Sequence, residues 1–493
     1  MKDILLPGGL FYTGLIISGM AAMQTSCTVR EQHDNHRPPN IVLILADDLG
    51  YGDIGCYGQE ILTTPYIDQM AAEGMMFMNH YTGSTVCAPS RASLLTGLHT
   101  GHVSVRGNSP HQLAGDGEYT IAKALREAGY VTGIIGKWGI GHPPPTDDPQ
   151  RKGFDYSYGF INMWHAHNFF PEFLYENGER VDIEGNRLFL QNGSNPWHDM
   201  PEGTGVAEQK QKYAPFLFRE KSLDFIEQNQ RSPFFLFLSL NDPHANNEAG
   251  HFLGDGMEVP DYGIYADMDW PNPEKGFAAM IQNIDETVGA IHRKLKECGI
   301  EKNTLVIFVS DNGPHAEGHH DPEFFHSSGP LRGKKRDLYE GGIRTPFIAK
   351  WPDKIKAGSA SDHISAFWDY LPTFSEIAGI EVPVHTDGIS FLPALTGNEN
   401  KQQKHEYLYW EFYERGGIQA ALMGNWKMLK LGIRTGDPTI ELYDLDQDIS
   451  EQNNLAHLHP DIVSKIDSMM MKAHTPLSFI SLFDLQISAD TPF

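Results

Sequence analysis

Cysteine is scarce in this chain, four in 493 residues. That excludes the disulfide framework of small secreted domains, so each thiol has to be read singly. Cys27 ends the N-terminal apolar stretch. Cys56 and Cys298 either pair in an oxidising compartment or, as the better expectation, stay two core thiols, and Cys87 opens a run that carries chemistry. Positive charge is short as well. Lys and Arg number 38 against 64 Asp and Glu, a net charge of −26, which speaks against nucleic acid or an anionic membrane surface as the main partner. A small anionic substrate remains compatible if the few cations are gathered into one pocket. Beyond the N-terminus no apolar run is long enough to cross a bilayer, and no repeat or low-complexity tract is visible.

The N-terminus reads as an export signal. Lys2 precedes an apolar stretch, 10–23, too short for a comfortable span, and Thr25 and Ser26 lead into Cys27. This resembles a loose bacterial lipoprotein signal, 1–26, with Cys27 as the lipidated residue and a polar linker over 27–39. Gln24 departs from the usual aliphatic residue, so ordinary signal cleavage is the alternative. Either way the protein is expected outside the cytoplasm, periplasmic or on the surface of a bacterium.

Four apolar runs in the body end in polar residues. Run 41–46 leads into Asp47-Asp48, 130–135 into Gly136-Lys137, 234–240 into Asn241-Asp242-Pro243-His244, and 305–309 into Ser310-Asp311-Asn312. Continuous apolar runs of this length fit strands buried on both faces, as in a parallel sheet. Helical patterns over 120–128, 221–228 and 277–297 separate them. Alternation of this kind implies an α/β sandwich, whose ligands lie beyond the carboxyl ends of the strands. All four polar endings fall there, so they are expected to converge on one site. After 397 short strand-like runs at 406–412, 419–423, 426–431 and 440–445 precede a helix over 459–472. The reading is a catalytic domain over 40–397 and a small C-terminal α+β domain with an antiparallel sheet over 398–493.

Cys87-Ala88-Pro89-Ser90-Arg91 precedes a short apolar helix closed by Gly97. That order sets the sulfur at a helix N-terminus, which favours negative charge, with an arginine fork one turn in. A buried cysteine opening an ordinary helix is the plain alternative. Asp47, Asp48, Asp311 and Asn312 offer only oxygen, which suits a hard cation, Ca²⁺ or Mg²⁺, rather than zinc. Lys137 and Lys335, the latter in the basic loop 329–336, supply charge to hold ester oxygens, and His244 is a candidate general acid. His315, with His319, His320 and His326, reads as rim or loop. Trp164, His165, His167, Asn168, Phe169 and Phe170 form a cluster suited to a sugar ring, or equally to packing.

Taken together these motifs resemble the type I, formylglycine-dependent sulfatases. Asp47-Asp48-Leu49-Gly50, the Cys87 run, Gly136-Lys137-Trp138, Pro243-His244, Ser310-Asp311-Asn312-Gly313 and the stretch from Lys335 through Tyr339-Glu340-Gly341-Gly342 to Pro346 stand in that family's order. The resemblance implies an alkaline-phosphatase-like sandwich with a large, mainly parallel sheet. It implies that Asp47, Asp48, Asp311 and Asn312, with residue 87, hold calcium, and that a maturation enzyme reading Pro89 and Arg91 oxidises Cys87 to formylglycine. It also implies that Arg91, Lys137 and Lys335 stabilise nucleophile and sulfate, while His244 faces the leaving oxygen. Many members have histidine where this chain has Gly139; His142 lies nearby but does not match by position. The implied substrate is a sulfated saccharide, galactose or N-acetylgalactosamine sulfate preferred, with His142, His165, His167 and His315 as candidate contacts. A phosphate or phosphonate ester hydrolase on the same scaffold and a non-catalytic glycan-binding lipoprotein are the alternatives.

Overall fold

The structure, a computed structural model, describes residues 37–108, 118–141, 148–477 and 482–483. The export signal, Cys27 and His142 therefore lie outside the described residues. The expected apolar runs are strands Asn40–Ala46, Val131–Lys137, Phe234–Ser239 and Thr304–Ser310. They stand side by side and parallel, in the order Thr304, Asn40, Phe234, Val131, with Tyr156–Phe160 parallel beyond. Short strands complete a ten-stranded sheet. Phe347–Lys350 joins one side antiparallel, and Phe173–Glu176 followed by Glu179–Asp182 closes the other.

Alternate residues of these strands feed two cores, which is why the runs are apolar throughout. Val42 and Ile44 pack with helices Ala214–Asn229 and Asn272–Glu297 on one face. Ile41, Leu43 and Leu45 pack with Cys87–Thr96, Ile121–Glu127 and Tyr370–Ala378 on the other. Burying a side chain of this size contributes roughly 1.5–3 kcal/mol, so the paired cores hold the strand ends rigidly. Two helices begin earlier than their apolar periodicity suggests. Each carries proline in its first turn, Pro215 and Pro273, where the missing N–H costs nothing.

The C-terminal part is a four-stranded antiparallel meander, Leu408–Phe412, Ile418–Met423, Trp426–Leu431 and Thr439–Asp444. Helix Pro460–Ala473 covers one face through Ile466 and Met470. Trp410 and Phe412 pack from the other face against Tyr81, Val86 and Trp368, and Trp410 Nε1 donates to Thr82 O at 2.9 Å. The small domain thus rests on the chain just before Cys87. Cys56 and Cys298 are free thiols. Among the described residues no helix is long and apolar enough to cross a membrane.

Candidate active site

The polar endings do converge. Cys87 is the first residue of its helix, after an extended N-cap at Val86, and is almost fully buried. Its sulfur belongs to a group with Asp47, Asp48 and His244 whose donor atoms all lie within 4.8 Å of one another. Arg91, one turn on, donates from Nε to Asp311 Oδ2 at 2.9 Å and from Nη1 to Lys137 O at 3.0 Å, while its Nη2 stands 3.4 Å from Asp47 Oδ1. Lys137 Nζ meets Asp47 Oδ2 at 2.6 Å. Lys335 Nζ donates to Asp48 Oδ2 at 2.8 Å, to Glu317 Oε2 at 2.9 Å and to His244 Nε2 at 3.1 Å. Asn312 Nδ2 donates to Asp48 Oδ1 at 2.7 Å. Three buried cations thus interleave with three buried carboxylates.

Backbone geometry makes room for this packing. Asp48 takes a left-handed φ of +70°, and its N–H donates to Asp311 Oδ1 at 3.1 Å. Aspartate adopts that conformation more readily than most residues. Gly139 has φ +74°, and a Cβ there would lie 3.3 Å from Lys137 Cε and 3.5 Å from Arg91 Cδ. The histidine absent from this position would therefore strain the backbone and crowd two of the site's cations.

Charge and burial set the protonation states. Burial raises the Asp47 carboxyl, but Lys137 and Arg91 outweigh it and hold the group well below the usual range. Burial and the neighbouring Asp47 push Asp311 up to about 7 against the pull of Arg91. Burial pushes the Cys87 thiol up to about 12, although Lys137 pulls it the other way. Burial and then Lys335 bring His244 down to about 3, so its ring is neutral. His244 Nδ1 lies 2.7 Å from Ala245 O, which can only accept, so Nδ1 carries the proton and Nε2 accepts from Lys335.

The donor set fits a hard divalent cation. Asp47 Oδ1 and Asn312 Oδ1 are buried oxygens with no hydrogen-bond donor, and the surrounding acids are all at strand ends. Arg91, Lys137 and Lys335 already offset the carboxylate charge, so it is the two acceptors left without donors that a cation would take up. The thiol and His244 complete the group whose donor atoms lie close together.

The other expected contacts divide. His167 stacks on His244 with ring centroids 4.9 Å apart, and its Nδ1 is 3.2 Å from Glu248 Oε2. His165 and His315 do not reach the substrate rim. His165 is buried between Phe160 and Phe173, at 4.9 and 4.5 Å. His315 is buried too. It spends Nε2 on Pro243 O at 2.9 Å and Nδ1 on the Glu317 N–H at 3.0 Å, so it shapes the loop behind the site. Asn168, Phe169 and Phe170 are also buried packing, leaving Trp164 half-buried. Two carboxylates escape the sequence reading. Glu317 pairs with Lys335 and Arg336, and Glu248 holds His167. Glu248 stands four residues after His244, in the first turn of helix Asn247–Leu253, and Glu317 two residues after His315; only this nearness in sequence signalled them.

Fold and site together define a hydrolase of anionic esters on an α/β sandwich, with its candidate site at a helix N-terminus and at the carboxyl ends of parallel strands. The chain belongs to the sulfatase family, which matches residues 39–380, and it is a sulfuric ester hydrolase. Residues 333–475 match the C-terminal region of N-sulphoglucosamine sulphohydrolase. The chain is 35% identical over 410 residues to N-acetylgalactosamine-6-sulfatase of Canis lupus familiaris, covering 79% of this chain and 71% of that one. It is 28% identical over 530 residues to N-acetylgalactosamine-6-O-sulfatase of Bacteroides thetaiotaomicron, covering 92% and 97%. Among solved structures it is similar to Ps i-CgsB in complex with k-i-k-neocarrahexaose, with a TM-score of 0.73 at 27% identity, covering 88% and 92%.

Proposed function

We propose that the enzyme removes sulfate from a sulfated saccharide, with a galactose or N-acetylgalactosamine sulfate preferred, using formylglycine made from Cys87 and a bound calcium ion, or magnesium in its place. The observation that carries this is a thiol held neutral at a helix N-terminus, ringed by Arg91, Lys137 and Lys335. A neutral thiol is a poor nucleophile, so the site calls for its conversion. Formylglycine at position 87 supplies a carbonyl carbon able to carry two hydroxyls, and a cation held by Asp47, Asp48, Asp311, Asn312 and residue 87 supplies charge to sulfate oxygens.

The remaining work falls to the chain's own side chains. Lys137 beside Asp47 and Lys335 beside Asp48 hold the non-bridging oxygens, in a buried setting that strengthens each contact. Arg91 fixes Asp311 and the Lys137 backbone. His244 presents Nε2 to the cluster with its other nitrogen locked on Ala245 O. The negative charge of a bound ester favours a proton at Nε2, which His244 then gives to the departing alcohol oxygen. His167, which stacks on His244, is our candidate saccharide contact, with Glu248 and Glu317 beside it.

The saccharide class is supported by the names of the relatives and by the oligosaccharide in Ps i-CgsB. We read residues 40–397 as the catalytic part and 398–493 as its buttress. Export with a lipid tether at Cys27 places the enzyme where polymeric glycans arrive. The test is the mass of the Cys87 peptide from a host that contains a maturation enzyme, followed by sulfate release from a panel of sulfated galactosides and N-acetylgalactosaminides. An aldehyde at position 87 with turnover is expected, and Cys87→Ala is expected to abolish it. Sulfate release retained by Cys87→Ala sinks the nucleophile. Faster release of phosphate than sulfate from matched esters favours the phosphoesterase reading, and binding without turnover by matured enzyme favours the glycan-binding one.

A further inference from the structure

A second group of metal-ligating side chains lies away from the catalytic centre. His99, His102 and Asp387 each place one donor atom within 4.8 Å of the others. His102 Nδ1 is 2.9 Å from both Asp387 oxygens, and His99 Nε2 is 3.7 Å from Oδ2. A third imidazole approaches the same carboxylate, with His385 Nε2 3.2 Å from Asp387 Oδ1. We propose that His99, His102, His385 and Asp387 form a zinc site that joins the loop after the Cys87 helix to the segment around Asp387.

The first reason is spacing. A tetrahedral zinc with bonds near 2.0–2.1 Å sets its donors about 3.3 Å apart. The separations from Asp387 Oδ1 to His102 and His385, 2.9 and 3.2 Å, and from Oδ2 to His99, 3.7 Å, lie to either side of that value. The second is donor chemistry. The catalytic centre is dominated by oxygen and suits calcium, whereas three imidazoles and one carboxylate suit a borderline ion. The third is that one carboxylate gathers three imidazoles, two of which keep a ring nitrogen free to hold the proton. His102 Nε2 and His385 Nδ1 make no hydrogen bond to the described residues, so either can carry the ring proton while the opposite nitrogen binds metal.

Access and support are both present. His385 has a 74% exposed side chain and His102 a 27% exposed one, while Asp387 is 10% exposed. His99 is anchored beneath, stacked on His102 at 4.3 Å and edge-on to Tyr409 at 5.3 Å. In the metal-free chain its Nδ1 accepts from the Gly101 N–H at 3.1 Å. Binding through His99 Nε2 moves its ring proton to Nδ1 and gives up that contact, and binding through His102 Nδ1 moves the proton now held against Asp387 to Nε2; His385 closes by a swing of an exposed side chain. Asp387 N and Thr386 Oγ1 already donate to Gly97 O, at 2.9 and 2.7 Å, and Gly97 ends the helix that Cys87 begins. Zinc would thus staple the far end of that helix.

The experiment uses the full chain, stripped with chelator, then equilibrated with zinc in excess calcium so that the catalytic acids stay occupied. Wild type is expected to retain one more zinc per chain than His102→Ala/His385→Ala, which leaves the catalytic residues untouched. Cobalt in place of zinc is expected to give a tetrahedral visible band in wild type alone. His385→Ala, at an exposed position, keeps the test valid if the double variant misfolds; it is expected to weaken zinc binding roughly 10- to 100-fold. Equal zinc content and affinity in wild type and both variants overturns the proposal.

Discussion

Gly139 and Glu317 show how much of the site depends on single positions. Glycine at 139 looks like the loss of a catalytic histidine until its φ of +74° and the closeness of Lys137 and Arg91 are seen. Gly139→Ala is expected to cost about 1–2 kcal/mol, the usual penalty for an L-residue in the left-handed region, and to lower kcat by displacing Lys137. Urea unfolding and turnover of the same preparation read the two effects. Glu317 takes up part of the Lys335 charge. Glu317→Gln leaves that ammonium freer to hold an anion, so the inhibition constant of inorganic sulfate is expected to fall roughly 3- to 10-fold, about 0.7–1.4 kcal/mol. The charged ends of the apolar runs, Asp47, Asp48, Lys137, His244, Asp311 and Asn312, were legible in the sequence because strand-end chemistry is local. Glu317 and Glu248 were not, because a carboxylate in a loop or on a short helix looks like a solvated surface group until its partner is known.

At the scale of elements, the segment from Lys335 to Arg344 is held by the C-terminal sheet. Lys427, on strand Trp426–Leu431, reaches Glu340 Oε1 at 2.8 Å and Glu451 Oε1 at 3.0 Å, with all three side chains fully buried. Glu340 also accepts from Tyr81 OH at 2.9 Å, and its N–H donates to Glu451 Oε2 at 2.7 Å. Removing one member of such a network leaves buried charge without a partner. Lys427→Met is therefore expected to cost about 3–5 kcal/mol, measured by urea unfolding, and to reduce turnover in the fraction that stays folded. The central strands and the meander were readable from apolar run length and turn residues. The short flanking strands were not: Met75–Phe77 and Phe347–Lys350 are three and four residues long, too short for periodicity to register. Their place depends on pairing with distant partners.

For the whole molecule, buried histidines tie stability to pH. His80 is enclosed by Phe347, Phe367 and Phe391, and burial, then His363, brings its pKa down to about 3. The unfolded chain takes up this proton near its ordinary value, about 6.5, so the unfolded state binds more protons in between. The contribution is intact above the unfolded value and is lost as pH falls from there toward 3. Between pH 7 and 5 wild type is expected to lose about 2 kcal/mol more than His80→Gln, read from denaturant titrations at both pH values. A difference of zero removes His80 from the balance. The α/β class was visible in the sequence because strands buried on both faces leave an unmistakable apolar run. The enclosure of His80 was not, because its walls, Phe347, Phe367 and Phe391, lie 267 to 311 positions further along the chain.

Cys87, Pro89 and Arg91 are all sealed inside the folded chain. An enzyme that seats this run in its own cleft can read it only while the polypeptide is still extended. On the proposed conversion of Cys87, activation becomes a race between modification and collapse, and whichever is faster fixes the fraction of active molecules. On that reading a chain that folds first keeps its buried thiol. Slowing collapse during synthesis should then raise specific activity without changing a single residue.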